Sequence, residues 1–237
     1  MKLAIAHAWD LAVSDAKALQ VRLATQMITQ TTFDPAELQT VAGVDVSYRQ
    51  GVARAAVVVL DLATLAPVDW ARAERPIFFP YVPGLLTFRE GPAVLAALEK
   101  LTIWPDLLIF DGHGLAHPRR FGLAAHMGVL LDQPSIGCAK SRLIGQHIEP
   151  DDTVGHWVPL YDQGEIIGAV LRSRRGVKPL YVSIGHRIDL ETAIEIVLRC
   201  TGRFRLPETT RLAHRLAGGA EIEMAIPPGA PHREPSR

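Results

Sequence analysis

The spacing of apolar and polar positions changes once along the chain. Residues 41–76 contain three short runs, VAGVDVSY, AAVVVLDL and PVDWARAE, with turn residues such as Gln50 and Gly51 between the first two. This pattern predicts three successive strands in an antiparallel meander. From residue 88 onwards, apolar positions at helical spacing alternate with short, continuous apolar runs that are typical of buried strands. The order indicates one α/β domain, a mixed β-sheet flanked by helices.

The same spacing predicts the individual elements. Helices are expected over residues 10–29, 88–101, 118–132, 189–200 and 206–218, and later strands over 105–114, 133–140, 164–173 and 178–186. Asp189 is the expected N-cap of one helix, and Pro207 and Gly218 mark the start and stop of the last. Residues 1–220 are predicted to form a single domain. Residues 221–237 end in PPGAPHREPSR, which lacks apolar periodicity, and are expected to be a disordered tail.

The amino-acid composition limits the classes of protein to which this chain can belong. The 237 residues are 48% hydrophobic and 21% charged, which is ordinary for a soluble globular protein. The 25 basic residues balance the 25 acidic ones, which excludes a polycationic nucleic-acid coat but leaves a nucleic-acid enzyme open. Cys138 and Cys200 form no CxxC pair, which disfavours a disulfide framework and favours the cytoplasm. No apolar run approaches the ~18 residues of a membrane span, and no membrane association is expected.

Three carboxylates are candidates for chemistry. Asp45 interrupts an apolar strand, where burial is costly unless the carboxylate is paired or binds a cation, although backbone donors at a strand end would also satisfy it. Asp111 ends a buried strand, and ligand sites gather at the carboxyl ends of such strands. Glu90 is expected in the first turn of a helix, where the helix dipole alone accounts for an acid. If they converge, these oxygens would select Mg²⁺ or Mn²⁺, which promote attack on a phosphodiester.

Several cationic and aromatic residues add to this picture. Lys140 follows a strand expected beside the Asp111 strand. Arg119, Arg120 and residues 172–178 supply local positive charge, either for phosphate contacts or as a solvated surface. Tyr81 lies between two prolines that stiffen the backbone, so its ring either stacks on a base or packs on its own loop.

Histidines raise a zinc alternative. His113 and His117 have the i, i+4 spacing of a helical metal site, but the intervening glycine and the following proline oppose a helix through them. His126 and His214 would be the further ligands of such a site. A histidine-zinc hydrolase is therefore a minor alternative.

Longer motifs resemble one known family. The segments VAGVDVSY, PYVPGLLTFREGP, DGHGLAHPRRFGLAAHMGVLLDQPSIGCAKSRLIG, KPLYVSIGHR and LPETTRLAH resemble endonuclease V in this order, over about residues 40–216. The resemblance implies a ribonuclease H-like fold and a Mg²⁺-dependent endonuclease, with Mn²⁺ as a substitute. It implies action at deoxyinosine, the product of adenine deamination. The second phosphodiester bond 3′ to the lesion would be hydrolysed, leaving 3′-hydroxyl and 5′-phosphate ends.

The resemblance also implies roles for individual residues. Asp45, Glu90 and Asp111 match the catalytic acids that hold the metal. Lys140 matches a lysine near the scissile phosphate, and His214 a histidine near the metal. Tyr81 matches a wedge that replaces the extruded base. The pocket for that base is expected around Gly84, Leu86, Gly112, His117, Gly122 and Leu123.

Partners follow from this resemblance. DNA containing deoxyinosine is the expected substrate, while inosine-containing RNA stays open, and we expect a monomer. Two other functions are compatible with some of the same residues. One is another ribonuclease H-like metal-dependent nuclease, acting at junctions or on inosine in RNA. The other is a non-catalytic lesion-binding module, which would have no need to keep all three acids.

Overall fold

A computed structural model describes residues 3–224 of the chain. The strands are β1 (Thr40–Arg49), β2 (Val52–Asp61), β3 (Pro67–Pro76), β4 (Leu107–Phe110), β5 (Ser135–Ala139), β6 (Trp157–Asp162), β7 (Glu165–Leu171) and β8 (Leu180–His186). The helices are α1 (Val13–Ala24), α2 (Leu86–Leu98), α3 (Leu123–Leu131), α4 (Leu190–Arg199) and α5 (Glu208–Ala217). All eight strands join one mixed sheet flanked by helices, which confirms the predicted α/β class.

The sheet has the order β3-β2-β1-β4-β5-β8-β7-β6. β1, β2 and β3 form the predicted antiparallel meander, and the first hairpin turns through Gln50 and Gly51, both at positive φ. β1, β4 and β5 are parallel neighbours, so their carboxyl ends meet at one edge. The remaining strands continue antiparallel from β5 through β8 and β7 to β6.

Two hydrophobic clusters cover the two faces of the sheet. The first contains α1, α2 and α3 against residues such as Val44 and Phe110. The second contains α4 and α5 against residues such as Val41 and Ile109. Neighbouring residues of β1 and β4 thus face opposite clusters, as strand geometry requires. The strand ends between the two clusters are where polar side chains collect.

Some predicted boundaries are wrong. α1 is shorter than residues 10–29, and α3 begins at Leu123 rather than at Pro118, because Arg120 has a positive φ that no helix continues through. α2 begins at Leu86, which places Glu90 in its second turn and not its first. β6 was not predicted at all, since its apolar alternation covers only two buried positions around Pro159. The cap at Asp189 is confirmed, with its carboxylate accepting from the Thr192 amide.

The chain ends bear on two sequence predictions. Ile222 is buried in the second cluster, so packing extends beyond residue 220. The rest of the predicted disordered tail, from residue 225 onwards, lies outside the described residues. Among the helices of residues 3–224, none has the length and apolar character to cross a membrane.

Candidate active site

The two aspartates lie side by side at one edge of the sheet. Val44 of β1 pairs with Phe110 of β4 in parallel register, so the next residue of each strand path, Asp45 and Asp111, occupies neighbouring positions. Their side chains are only 10% and 13% exposed. The sequence left the convergence of these carboxylates as a possibility. Asp111 follows the end of β4, as expected, whereas Asp45 lies within β1 beside that end.

Helix α5 brings His214 to the aspartates. The helix packs closely on β1 at Gly43, where a Cβ atom would lie 2.1 Å from the Thr209 carbonyl. His214 Nδ1 is 2.8 Å from Asp45 Oδ2. One ligand atom each from Asp45, Asp111 and His214 lies within 4.8 Å of the others. This is the one such group of three within residues 3–224, and His113, His117 and His126 are not part of it.

The chemistry of this group fits a hard divalent cation. Burial and the charge of Asp111 raise the pKa of Asp45, while the hydrogen bond from His214 opposes that rise. Two nearly buried carboxylates this close repel each other unless a proton or a cation lies between them. Carboxylate oxygens are the ligands preferred by Mg²⁺ and Mn²⁺.

Glu90 reaches the same cavity from the opposite face of the sheet. A cavity of about 310 Å³ is lined by Glu90 together with Asp45, Asp111 and Lys140. The Tyr48 hydroxyl donates to Glu90 Oε1 at 2.6 Å, and burial raises the pKa of Glu90 to about 8. Glu90 is not part of the close group around His214. Glu90 is buried in the second turn of α2, so the helix dipole does not account for it, and a buried carboxylate is costly unless it is paired or binds a cation.

Lys140 places a positive charge beside the acids. It follows β5, which is the neighbour of β4 as predicted, and its Nζ forms an ion pair with Asp111. Lys140 is partly exposed, so its amine can reach an anionic ligand in the cavity.

A second cavity, of about 250 Å³, adjoins the first. It is lined by all six residues predicted for a base pocket and by Tyr81. The Tyr81 side chain is 72% exposed at the cavity, so it does not pack on its own loop. The rest of the lining consists of Val82, Pro83, Thr87, His113, Ser141, Arg142 and Leu143. Ser141 and Leu143, one and three residues after Lys140, were not predicted from the sequence. Tyr48 was also missed, three residues after Asp45.

Buried polar contacts fix the wall of this second cavity. Gly84, at φ 78°, has a carbonyl that accepts hydrogen bonds from Gln20, His117 and Arg119. Burial lowers the pKa of His117 to about 4, so its ring is neutral near pH 7. Its Nδ1 accepts from the Arg119 amide, which leaves the proton on Nε2 for Gly84. Glycine is favoured here because φ is positive, and a Cβ would also lie 2.7 Å from the Arg119 guanidinium, displacing one of the groups that hold the carbonyl.

Most of the clustered arginines have structural roles. Arg119 holds Gly84, and Arg120 forms ion pairs with Asp162 and Glu165. Arg172 is buried and pairs with Glu149. These three arginines are therefore committed to intramolecular contacts.

A ribonuclease H-like sheet with paired carboxylates at the shared edge of parallel strands defines a metal-dependent nuclease. Residues 21–215 match the family model of endonuclease V, and the chain belongs to this family. Endonuclease V from Roseiflexus sp. (strain RS-1) is 58% identical over 214 residues, covering 90% of this chain and 96% of that protein.

Solved structures agree with the family assignment. The structure of endonuclease V from Streptomyces avermitilis matches with a TM-score of 0.86 and 44% identity, covering 92% of this chain and 96% of that one. Endonuclease V from Ciona intestinalis, solved in complex with a 24mer DNA containing an inosine followed by a ribo-adenosine, matches with a TM-score of 0.77 and 28% identity, covering 87% and 96%. The predicted ribonuclease H-like fold is confirmed.

Proposed function

We propose that this chain is a DNA repair endonuclease that recognises deoxyinosine and hydrolyses the second phosphodiester bond 3′ to it. The products are a 3′-hydroxyl and a 5′-phosphate. The observation that carries the proposal is the shared wall of two cavities, one lined by acids and one lined by Tyr81 and small residues. Gly112, His113, Leu123 and Ser141 line both cavities. A base held in one cavity therefore keeps its own strand beside the acids.

The proposed metal is Mg²⁺, with Mn²⁺ as a substitute, held by Asp45, Asp111 and Glu90. A bound divalent cation stabilises the negative charge that develops on the phosphate oxygens. His214 orients Asp45 through its hydrogen bond. Lys140 directs a positive charge at the scissile phosphate, and its pairing with Asp111 fixes it in the same cavity.

Selectivity for hypoxanthine is proposed to come from base flipping. Extruding a base costs a few kcal/mol and least for a damaged or mispaired one. Hypoxanthine lacks the exocyclic amine of guanine, so a tight pocket can exclude guanine while accepting the deaminated base. Tyr81, exposed at the mouth of the pocket, would fill the gap left in the stack. The bonds that hold Gly84 keep that pocket rigid.

Partners and setting complete the proposal. We propose that the substrate is DNA, that the protein acts as a monomer and that it works in the cytoplasm. Cys138 and Cys200 are both free and buried, in keeping with a reducing compartment. The complex of the Ciona relative with inosine-containing DNA supports the choice of substrate.

A labelled duplex with a single deoxyinosine tests this proposal, beside matched duplexes with adenine or guanine at that position. In Mg²⁺ we expect one nick, at the second bond 3′ to deoxyinosine, and none in the matched duplexes. Equal cutting of all three duplexes would contradict the proposed specificity. Inosine-containing single-stranded RNA and a four-way junction serve as further arms. Preferential cutting of either would favour another ribonuclease H-like nuclease, and binding without cutting would favour a lesion-binding module.

A further inference from the structure

A third cavity, of about 570 Å³, opens beside the other two. It shares Lys140 and Ser141 with the acid-lined cavity, and Ser141 and Arg142 with the base pocket. From Lys140 it extends towards β8 and the loop before it, where Lys178 and Tyr181 line it. No role described above uses this cavity.

The walls of the third cavity are fixed relative to the acids. Arg205 donates from Nη2 to the carbonyl of Lys140 at 2.7 Å and to that of Pro179 at 2.8 Å. The Arg205 guanidinium thus links Lys140, which lies beside the acids, to Pro179, which follows Lys178. Tyr181 of β8 pairs in register with Ala139, the residue before Lys140. A ligand that spans from Lys140 to Lys178 would therefore meet a preformed surface.

The charge of the third cavity suits an anion. Four cationic side chains and two carboxylates line it, namely Lys140, Arg142, Arg172, Lys178, Glu149 and Asp152. Both carboxylates are engaged by buried Arg172, at 2.9 Å and 3.7 Å. The ion pairs found within residues 3–224 leave Arg142 and Lys178 without a carboxylate partner. Both are exposed, so their charges face the open side of the cavity.

We propose that this cavity binds the nucleotide immediately 3′ of the scissile bond, with the next phosphate of the strand held by Lys178 and Arg142. The inference rests on the proposed function, since it takes the lesion to lie 5′ of the bond. The base pocket would hold the part of the strand that lies 5′ to the scissile bond. The strand on the other side leaves past Lys140, where the third cavity begins. Tyr181 and Pro179 provide an apolar surface for the sugar and base.

Three deoxyinosine strands on one complementary strand test the proposal. The first ends two nucleotides 3′ to the lesion with a hydroxyl, the second ends there with a phosphate, and the third continues for twelve nucleotides. All three contain the scissile bond. We expect the phosphate-terminated strand to be cut with a kcat/KM about 5-fold or more above that of the hydroxyl-terminated strand, since a lost phosphate contact weakens binding.

The variant Lys178→Ala is expected to reduce this phosphate advantage, since Arg142 alone remains to hold the phosphate. The melting temperature should not change, because the Lys178 side chain is exposed. Lys100→Ala is the matched control. This variant also removes one exposed charge. Lys100 Nζ donates to the carbonyl of Arg72 in β3, the edge strand on the far side of the sheet from β8, so the advantage should survive.

The outcomes separate this inference from the proposed function. Two results would overturn the third-cavity assignment while the long strand is still cut. One is equal rates on the two short strands, and the other is a phosphate advantage that Lys178→Ala leaves undiminished. Failure to cut the long strand at the second bond would overturn both proposals together.

Discussion

Glu90 is the acid whose chemistry depends most on its surroundings. Burial raises its pKa to about 8, and the hydrogen bond from Tyr48 only partly opposes that rise. In the protein without metal, the raised pKa of Glu90 makes a contribution to stability that is complete below the pKa of the unfolded chain. This contribution is lost as the pH rises through 8, the pKa in the folded protein. A bound metal would offset the cost of burying ionised Glu90, because it would place a positive charge beside the carboxylate.

The variant Glu90→Gln tests this account. The amide keeps an acceptor for the Tyr48 hydroxyl but cannot ionise. In EDTA at pH 8, we expect its melting temperature to exceed that of the wild type by about 3 °C or more, while nicking in Mg²⁺ is lost. At pH 5 the two proteins should melt at similar temperatures. A variant that is less stable than the wild type at pH 8 would contradict the buried, protonated state of Glu90.

Tyr81 offers a prediction about selectivity. Because its side chain is 72% exposed, Tyr81→Ala should change the free energy of unfolding by less than about 0.5 kcal/mol. We expect the preference for deoxyinosine over adenine to fall about 10-fold or more, since a stacking contact is worth ~1–3 kcal/mol. Nicking rates on both duplexes measure this ratio. An equal fall in both rates would show that Tyr81 contributes to catalysis or general binding instead.

At the scale of elements, the contact between α5 and β1 decides whether His214 reaches Asp45. Gly43→Ala would place a Cβ 2.1 Å from the Thr209 backbone, so the helix must move. We expect a loss of stability of about 2 kcal/mol or more and a clear loss of nicking. Gly202→Ala is the matched control, because its nearest contact would be 3.5 Å. Wild-type stability and activity of Gly43→Ala would contradict the close packing of α5.

Elements with strong local patterns were predictable, and those shaped by distant contacts were not. The meander followed from alternation, and the place of Asp111 followed from the end of its strand, whereas the approach of Asp45 depends on the pairing of β1 with β4. β6 was missed because its hairpin partner β7, rather than its own pattern, fixes it. The hydrogen bond from Tyr48 to Glu90 joins β1 to a helix 42 residues away, so only the folded chain reveals it. The role of His214 near the acids came from the resemblance, since its helical pattern alone fits a surface residue.

At the scale of the whole molecule, buried and half-buried histidines contribute to the response to acid. Burial lowers the pKa of five histidines, His7, His113, His117, His126 and His186. Each stays neutral in the folded protein below pH 6.5, where the unfolded chain takes up a proton. Their contribution to stability is therefore complete above pH 6.5 and is lost as the pH falls through their lowered pKa values, which for His117 is about 4.

Thermal unfolding at constant ionic strength checks this acid response. Glu90 gains stability over the same pH range, so the variant Glu90→Gln in EDTA is used to isolate the histidines. We expect its melting temperature to fall by several degrees between pH 7 and pH 5, for a domain of this size. The Nε2 atoms of His7 and His126 are 2.8 Å apart. This pair should contribute to the fall, because two protonated rings repel each other at that distance. A melting temperature that is level or rises towards pH 5 would contradict it.

The central claim is that Asp45 and Asp111 would hold the metal required for cleavage of a strand whose deoxyinosine is bound in the adjoining cavity. The most direct measurement compares wild-type protein with Asp111→Ala on one labelled deoxyinosine duplex, in Mg²⁺ and in EDTA, with binding followed in Ca²⁺. The account predicts a nick at the second bond 3′ to the lesion only for the wild type in Mg²⁺, while both proteins bind the duplex in Ca²⁺. Nicking by Asp111→Ala, or by the wild type in EDTA, would contradict it.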